Sequence, residues 1–172
     1  ICMLRGEEDY DSYFEDTMKA GHYENRKESV DIMIRSSREI IKDLIGYGVE
    51  FARENGDLAF TREGGHSRPR ILFHEDITGR EITEKLLAQV KKRDNITILE
   101  HTTMVDLVCR DNVCYGAVCR RRDGSLVTVH AKETVLACGG VGGLYEHSTN
   151  FPHLTGDGLA VALKHGVRLE II

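Results

Sequence analysis

The chain has 172 residues, of which 41% are hydrophobic and 30% charged, and its formal net charge is −5. That size holds one domain with a real core, while an acidic balance without a long basic run argues against duplex nucleic acid and anionic membrane surfaces as partners. No apolar stretch approaches the ~20 residues that span a bilayer, so a soluble, cytoplasmic protein is expected.

The five cysteines, Cys2, Cys109, Cys114, Cys119 and Cys138, are odd in number and contain no C-x-x-C pair, which fits a reducing compartment. Cys109, Cys114 and Cys119 recur at fixed spacing but lack a further ligand pair at zinc-finger spacing. They read as half-buried thiols, and no metal site is expected. The chain opens on Ile1 with no signal peptide before Glu7, which reads as a piece of something larger.

In chain order, residues 9–20 carry a helical pattern with Tyr13, Phe14, Thr17 and Met18 at helical spacing, acids in the first turn, and Gly21 at the end. A longer helix is predicted over 27–45, its apolar stripe formed by Val30, Ile34, Ile40, Ile41, Leu44 and Ile45, with Gly46 and Gly48 stopping it. Extended pieces at 49–51 and 58–60 flank Asn55-Gly56, a step that favours a tight hairpin. A helix follows from Asp76-Ile-Thr-Gly, with Ile82, Leu86, Leu87 and Val90 on one face.

Residues 96–100 alternate as a strand, and then runs at 103–110, 113–121 and 125–130 follow in quick succession. Their turns, Asp111-Asn112 and Arg122-Asp-Gly124, predict a three-stranded antiparallel meander. Residues 133–137 are short and apolar enough for the centre of a sheet, and a last helix is predicted over 158–165. This order argues for α/β architecture with the meander as a satellite sheet. No Gly-x-Gly-x-x-Gly follows a leading strand, and Gly139-Gly140 with Gly142-Gly143 have the wrong spacing to replace that fingerprint.

Two glycine-punctuated stretches carry the chemistry. One is Thr61-Arg-Glu-Gly-Gly-His-Ser-Arg-Pro-Arg70; the other runs from Ala137-Cys-Gly-Gly to Thr155-Gly-Asp-Gly158. A strand running into paired glycines lets a planar ligand approach the backbone, and a helix start offers free N–H groups to a polar one. Glu63 reads either as a substrate-facing carboxylate or as a solvated loop acid. Asp157, between two glycines at a helix start, reads as an N-cap, a role compatible with cofactor contact. His66 and Ser67 are candidates for an active-site loop, or are bonded to the backbone. Arg68 and Arg70 either answer substrate carboxylates with forked donors or pair at the surface. His147 and His153 read as loop-packing residues ahead of catalysts, and Tyr145 as a core residue ahead of one packed near a cofactor.

Glu63-Gly-Gly-His-Ser67 with Arg70-Ile-Leu72, His74 and Thr78-Gly-Arg-Glu81 resembles the pattern of the L-aspartate oxidase family. His147-Ser-Thr-Asn150 with Thr155-Gly-Asp-Gly158 is similar to the wider succinate dehydrogenase and fumarate reductase flavoprotein superfamily. The resemblance covers nearly the whole chain. It implies a partial, Rossmann-like FAD-binding domain over 1–172 with the meander inserted, and with the dinucleotide fingerprint and the capping domain outside it.

It further implies oxidation of L-aspartate to iminoaspartate, oxygen or fumarate as acceptor, and a place in NAD biosynthesis ahead of quinolinate synthase. Glu63 then orients the substrate near its amino group and Asp157 contacts FAD, with Gly139 and Gly140 as further cofactor-binding candidates from the paired-glycine reading. The proton-accepting arginine lies outside the chain, so no catalytic residue is expected within it. The chain alone is expected to bind FAD weakly or not at all and to be inactive. A fumarate reductase or succinate dehydrogenase flavoprotein, or a non-catalytic α/β interaction module, are the alternatives; Glu63 speaks for an amino-acid substrate, because a carboxylate complements an ammonium group.

Overall fold

The structure is a computed structural model that describes residues 1–169. It divides into two compact units, residues 1–97 and residues 98 onward.

The first unit is built on α1 (Tyr10–Ala20) and α2 (Lys27–Gly46). Val30, Ile34, Ile41 and Leu44 recur along one face of α2 and are buried, together with Ser37 between them. Two apolar clusters result. Val30 and Ile34 pack with Leu4, Tyr13 and Met18, whereas Ile41 and Leu44 pack with Val49, Phe51 and Leu72. Each such side chain contributes about 1.5–3 kcal/mol by leaving water. Ile40, expected in the stripe, is 48% exposed, because it falls beside the buried face rather than on it.

The end of α2 is a Schellman turn: the Val49 N–H donates to the Leu44 carbonyl (3.0 Å) and the Gly48 N–H to that of Ile45 (2.9 Å). Gly48 takes the left-handed φ of 94° that this turn requires. The chain then forms a hairpin of β1 (Arg53–Glu54) and β2 (Asp57–Leu58), with Asn55 and Gly56 both at positive φ as a type I′ turn demands. The strands are shorter than expected and sit closer to the turn. Helix α3 (Thr78–Val90) lays Ile82 and Leu86 against the second cluster, while Leu87 faces outward.

The second unit holds the meander as predicted: β3 (Thr102–Arg110), β4 (Val113–Arg121) and β5 (Leu126–His130) in the order β3-β4-β5, antiparallel throughout. Asp111 and Asn112 both take positive φ in the β3–β4 turn. Helix α4 (Asp157–Lys164) packs on β3. Asp106 of β3 receives Lys164 Nζ at 2.5 Å and His165 Nε2 at 2.7 Å.

Two expected strands are absent among the described residues. Residues 133–137 and 96–100 form no ladder, since no other described segment offers them a row of backbone donors and acceptors. Val135 is accordingly 88% exposed. Tyr145, expected in a core, is exposed as well, because the loop that carries it folds onto its own backbone rather than over an apolar layer.

Candidate functional site

In the first unit the Glu63 segment is a loop closed at its base. Thr61 and Ile71 exchange both backbone hydrogen bonds (2.9 and 3.1 Å), and Met3 donates to the Arg70 carbonyl at 2.9 Å. Closure of this kind leaves the intervening residues without a ladder of their own, so side chains must order them.

Arg70 does so. Its side chain is fully buried. Nε and one terminal nitrogen donate to the two oxygens of Asp9 at 3.1 and 2.8 Å, and the latter nitrogen also donates to Ser12 Oγ at 3.0 Å. The other terminal nitrogen donates to Asp16 Oδ2 at 2.5 Å and faces His66 Nδ1 at 3.3 Å. Five guanidinium hydrogens thus meet five acceptors. The guanidinium also lies 5.0 Å over the ring of Tyr13. Of the two readings for Arg70, forked recognition is what occurs, but the carboxylates are the protein's own.

The same network seats His66 and Ser67. A guanidinium can only donate, so Nδ1 of His66 accepts and its Nε2 carries the hydrogen, 3.3 Å from Cys2 Sγ. Ser67 gives both its backbone N–H (2.7 Å) and its hydroxyl (2.8 Å) to Asp16. Burial works against the charge of Asp16, yet these two bonds and Arg70 outweigh it and hold its carboxyl below the usual range. Burial, with the Cys2 thiol beside it, pushes the Tyr13 phenol up.

Glu63, by contrast, is exposed, and its carbonyl accepts the His66 N–H at 3.3 Å. Arg68 is also exposed, 3.9 Å from Asp9 Oδ1. Behind the loop lies a mainly apolar cavity of about 460 Å³ whose walls include Cys2, Tyr13, Thr17, Gly64, Gly65 and His66. An added Cβ on Gly64 would meet nothing within 4 Å. The loop therefore lines the cleft with bare backbone at Gly64 and Gly65, with the exposed Glu63 next to them in the chain, on a base closed by hydrogen bonds.

Sequence reading missed Asp9, Ser12 and Asp16 as the anchors. Their signal was present as polar residues spaced three and four apart from the N-cap of α1 along its first turns; it reads equally well as favourable charge at a helix start.

In the second unit, residues 139–158 fold back on themselves. The Gly143 N–H donates to the Leu154 carbonyl at 2.9 Å. A Cβ on Gly143 would stand 2.5 Å from the Pro152 carbonyl oxygen, so glycine is required there by the loop's own packing. Gly139 has φ 76° and abuts Leu154, whereas a Cβ on Gly140 would meet nothing within 4 Å. Phe151 and His153 stack at 5.4 Å, and His147 is exposed.

The N-cap of α4 is Gly156, at φ 72°, with no side-chain cap. Asp157, expected as the cap, is instead the first helical residue, because the left-handed turn falls one residue earlier. Its carboxylate accepts the Thr155 hydroxyl at 3.1 Å. The first turn of α4 thus keeps uncapped N–H groups beside an exposed carboxylate, and Gly140 leaves open backbone. These features suit contact with part of a polar, planar cofactor. No group of three or more metal-ligating side chains occurs among the described residues.

An open glycine approach and an uncapped helix start, in an α/β chain with a three-stranded antiparallel sheet, fit a nucleotide-cofactor domain. The chain belongs to the FAD-binding domain family, whose model matches residues 2–171. It is 42% identical over 170 residues to an L-aspartate oxidase of Clostridium perfringens, covering 99% of this chain and 38% of that protein. With an L-aspartate oxidase of Clostridium acetobutylicum the identity is 44% over 168 residues, covering 97% and 38%.

Among solved structures, a variant of the E. coli quinol fumarate reductase subunit FrdA superposes with a TM-score of 0.91 at 26% identity, over 95% of this chain and 28% of that one. The Sdh1 complex of Mycobacterium smegmatis gives 0.83 at 30% identity, over 91% and 28%. The chain thus spans about 38% of the length of the curated relatives it matches.

Proposed function

We propose that this chain supplies part of the FAD-binding domain of a flavoenzyme that oxidises L-aspartate to iminoaspartate, with oxygen or fumarate as acceptor. The observation that carries the reading is the 42–44% identity to two L-aspartate oxidases over 97–99% of the chain. When bound, the flavin supplies the two-electron acceptor for the substrate's Cα–H bond. Gly139, Gly140 and Asp157 are the residues offered here for holding it. Glu63 answers the substrate ammonium from its place beside Gly64, while His66, Ser67 and Arg70 keep the loop in place. No residue of this chain is assigned as the base.

Iminoaspartate is reactive in water, which favours immediate use by a quinolinate synthase in NAD biosynthesis, and the setting proposed is the cytoplasm. No helix among the described residues is long and apolar enough to cross a membrane. A chain without a Gly-x-Gly-x-x-Gly loop lacks a standard pyrophosphate cradle, so the proposal includes weak or no FAD binding and no turnover by these 172 residues alone.

The second reading, a fumarate reductase or succinate dehydrogenase flavoprotein, draws support from the TM-scores of 0.91 and 0.83. Membership of the FAD-binding family speaks against a non-catalytic interaction module. Steady-state turnover by the longer protein separates the flavoenzyme readings: activity on L-aspartate without activity on succinate supports the first, and the reverse pattern overturns it.

A further inference from the structure

The β3–β4 hairpin carries two thiols in direct register. Cys109 of β3 is the Cα partner of Cys114 of β4, one pair out from Arg110–Val113, which flanks the two-residue Asp111-Asn112 turn. In such a hairpin the flanking pair exchanges hydrogen bonds, so the next pair is a non-hydrogen-bonded one, with Cα atoms about 4.5 Å apart and side chains on the same face. A disulfide needs Cα atoms about 4.4–6.8 Å apart. Cys119, on the same strand, pairs instead with Met104, five residues along β4 with a register shift between, so it faces no thiol across the ladder.

The two thiols differ in surroundings. Cys109 is exposed and Cys114 is half-buried. Cys114 Sγ lies 3.5 Å from Thr134 Oγ1 and 3.5 Å from the Gly116 carbonyl oxygen. When Cys114 is a thiolate, the Thr134 hydroxyl can turn to donate to it, and that bond leads in holding Cys114 below the ordinary thiol range, whereas the Gly116 carbonyl can only accept from the protonated thiol. Partial desolvation of its sulfur, and then the neighbouring Cys114, raise Cys109 although the residue is exposed. The register pair therefore opposes the thiol with the hydroxyl partner, suited to attack as its thiolate, to a second thiol placed to resolve it.

We propose that Cys109 and Cys114 form a peroxide-responsive dithiol that closes to an intra-hairpin disulfide. The Cys114 thiolate attacks hydrogen peroxide; an S–O bond forms, the O–O bond breaks, and hydroxide leaves and is protonated to water. Cys114 is oxidised by two electrons to the sulfenic acid and the peroxide is reduced. Cys109 then attacks that sulfur; the S–S bond forms, the S–O bond breaks, and a second water leaves with the proton Cys109 gives up. Two thiols and one peroxide become one disulfide and two waters. An oxygen-using flavin oxidase releases this oxidant, which links the site to the proposed function without depending on it.

The test adds hydrogen peroxide directly to the reduced chain, blocks remaining thiols by alkylation and maps tryptic peptides without reductant. Trypsin cuts after Arg110, inside the hairpin, so the bridge joins peptide 94–110 to peptide 111–120. The expected result is that joined pair within one chain, with two hydrogens lost, reversed by dithiothreitol, retained in Cys119→Ser and lost in Cys114→Ser. Alkylation of both Cys109 and Cys114 after treatment, separate sulfinic acids on each, a Cys109–Cys119 link, or a link only between chains would each overturn the proposal. Because the readout is the sulfur chemistry of the wild-type chain, it stands or falls apart from any flavin activity.

Discussion

Replacing Arg70 by methionine removes the cation that neutralises two carboxylates while keeping most of the side-chain volume. Arg70 is 0% exposed and Asp9 4%, so the variant leaves Asp9 charged, buried and facing an apolar chain. Removing one partner from a buried pair costs about 3–5 kcal/mol, most of it the stranded charge rather than the lost attraction. A unit of ordinary stability, about 5–15 kcal/mol, would lose from about a fifth of it to nearly all.

Urea unfolding followed by circular dichroism reads this as a midpoint lowered by about 1.5–5 M, for a slope of about 1–2 kcal/mol/M. The double variant Asp9→Asn/Arg70→Met separates the causes. Neutralising the carboxylate removes the stranded charge, so the double variant should be less destabilised than the two single costs summed, by about 1–3 kcal/mol. An Arg70→Met chain within about 1 kcal/mol of wild type, or strictly additive costs, would refute the claim that Arg70 anchors the loop by burial of its ion pairs.

Further expectations follow from the two loops and from the α4 contact. Lys164, then His165, hold the Asp106 carboxyl well below the usual carboxylate range; a depressed folded pKa gives a contribution present above the unfolded value of about 3.9 and lost as pH falls through the folded one. Hydrogen-exchange protection in α4, corrected for the intrinsic rate, should therefore fall in wild type only below about pH 4 and be insensitive to that change in Asp106→Asn; loss of protection between pH ~7 and ~5 would contradict the assignment. In the longer protein, Glu63→Gln should raise KM for L-aspartate about 10- to 100-fold, the worth of one charge-assisted hydrogen bond, and an unchanged KM would return Glu63 to a solvated loop acid. Gly143→Ala should destabilise the second unit because its Cβ would meet the Pro152 carbonyl at 2.5 Å, whereas Gly140→Ala, with nothing within 4 Å, should fold normally and weaken flavin binding in the longer protein. Equal stability losses for the two would remove the case for Gly140 as the open approach.

The parts of this fold legible in the sequence are those decided within a few residues. Asn55-Gly56 and Asp111-Asn112 specify their hairpins through positive φ alone, and the α2 stripe and its glycine stop follow from helical period and one left-handed residue. Residues 133–137 were misread because a buried strand is made by its neighbours; apolar composition signals the propensity, not the ladder.

The site divides the same way. Glu63 and the glycines stand out as a motif, and the motif led to the right family. The anchoring network did not stand out, since Arg70 meets Asp9 across 61 residues and Asp16 across 54. Polar residues at positions 9, 12 and 16 look like any solvated helix face until the loop is folded onto them.

The most direct test of the functional account is the absorbance spectrum of the longer protein before and after anaerobic addition of L-aspartate. The account predicts a flavin band near ~450 nm that bleaches with aspartate and not with succinate, since the bound cofactor takes the substrate's electrons. A band bleached by succinate alone, or no flavin band in the purified longer protein, would contradict it.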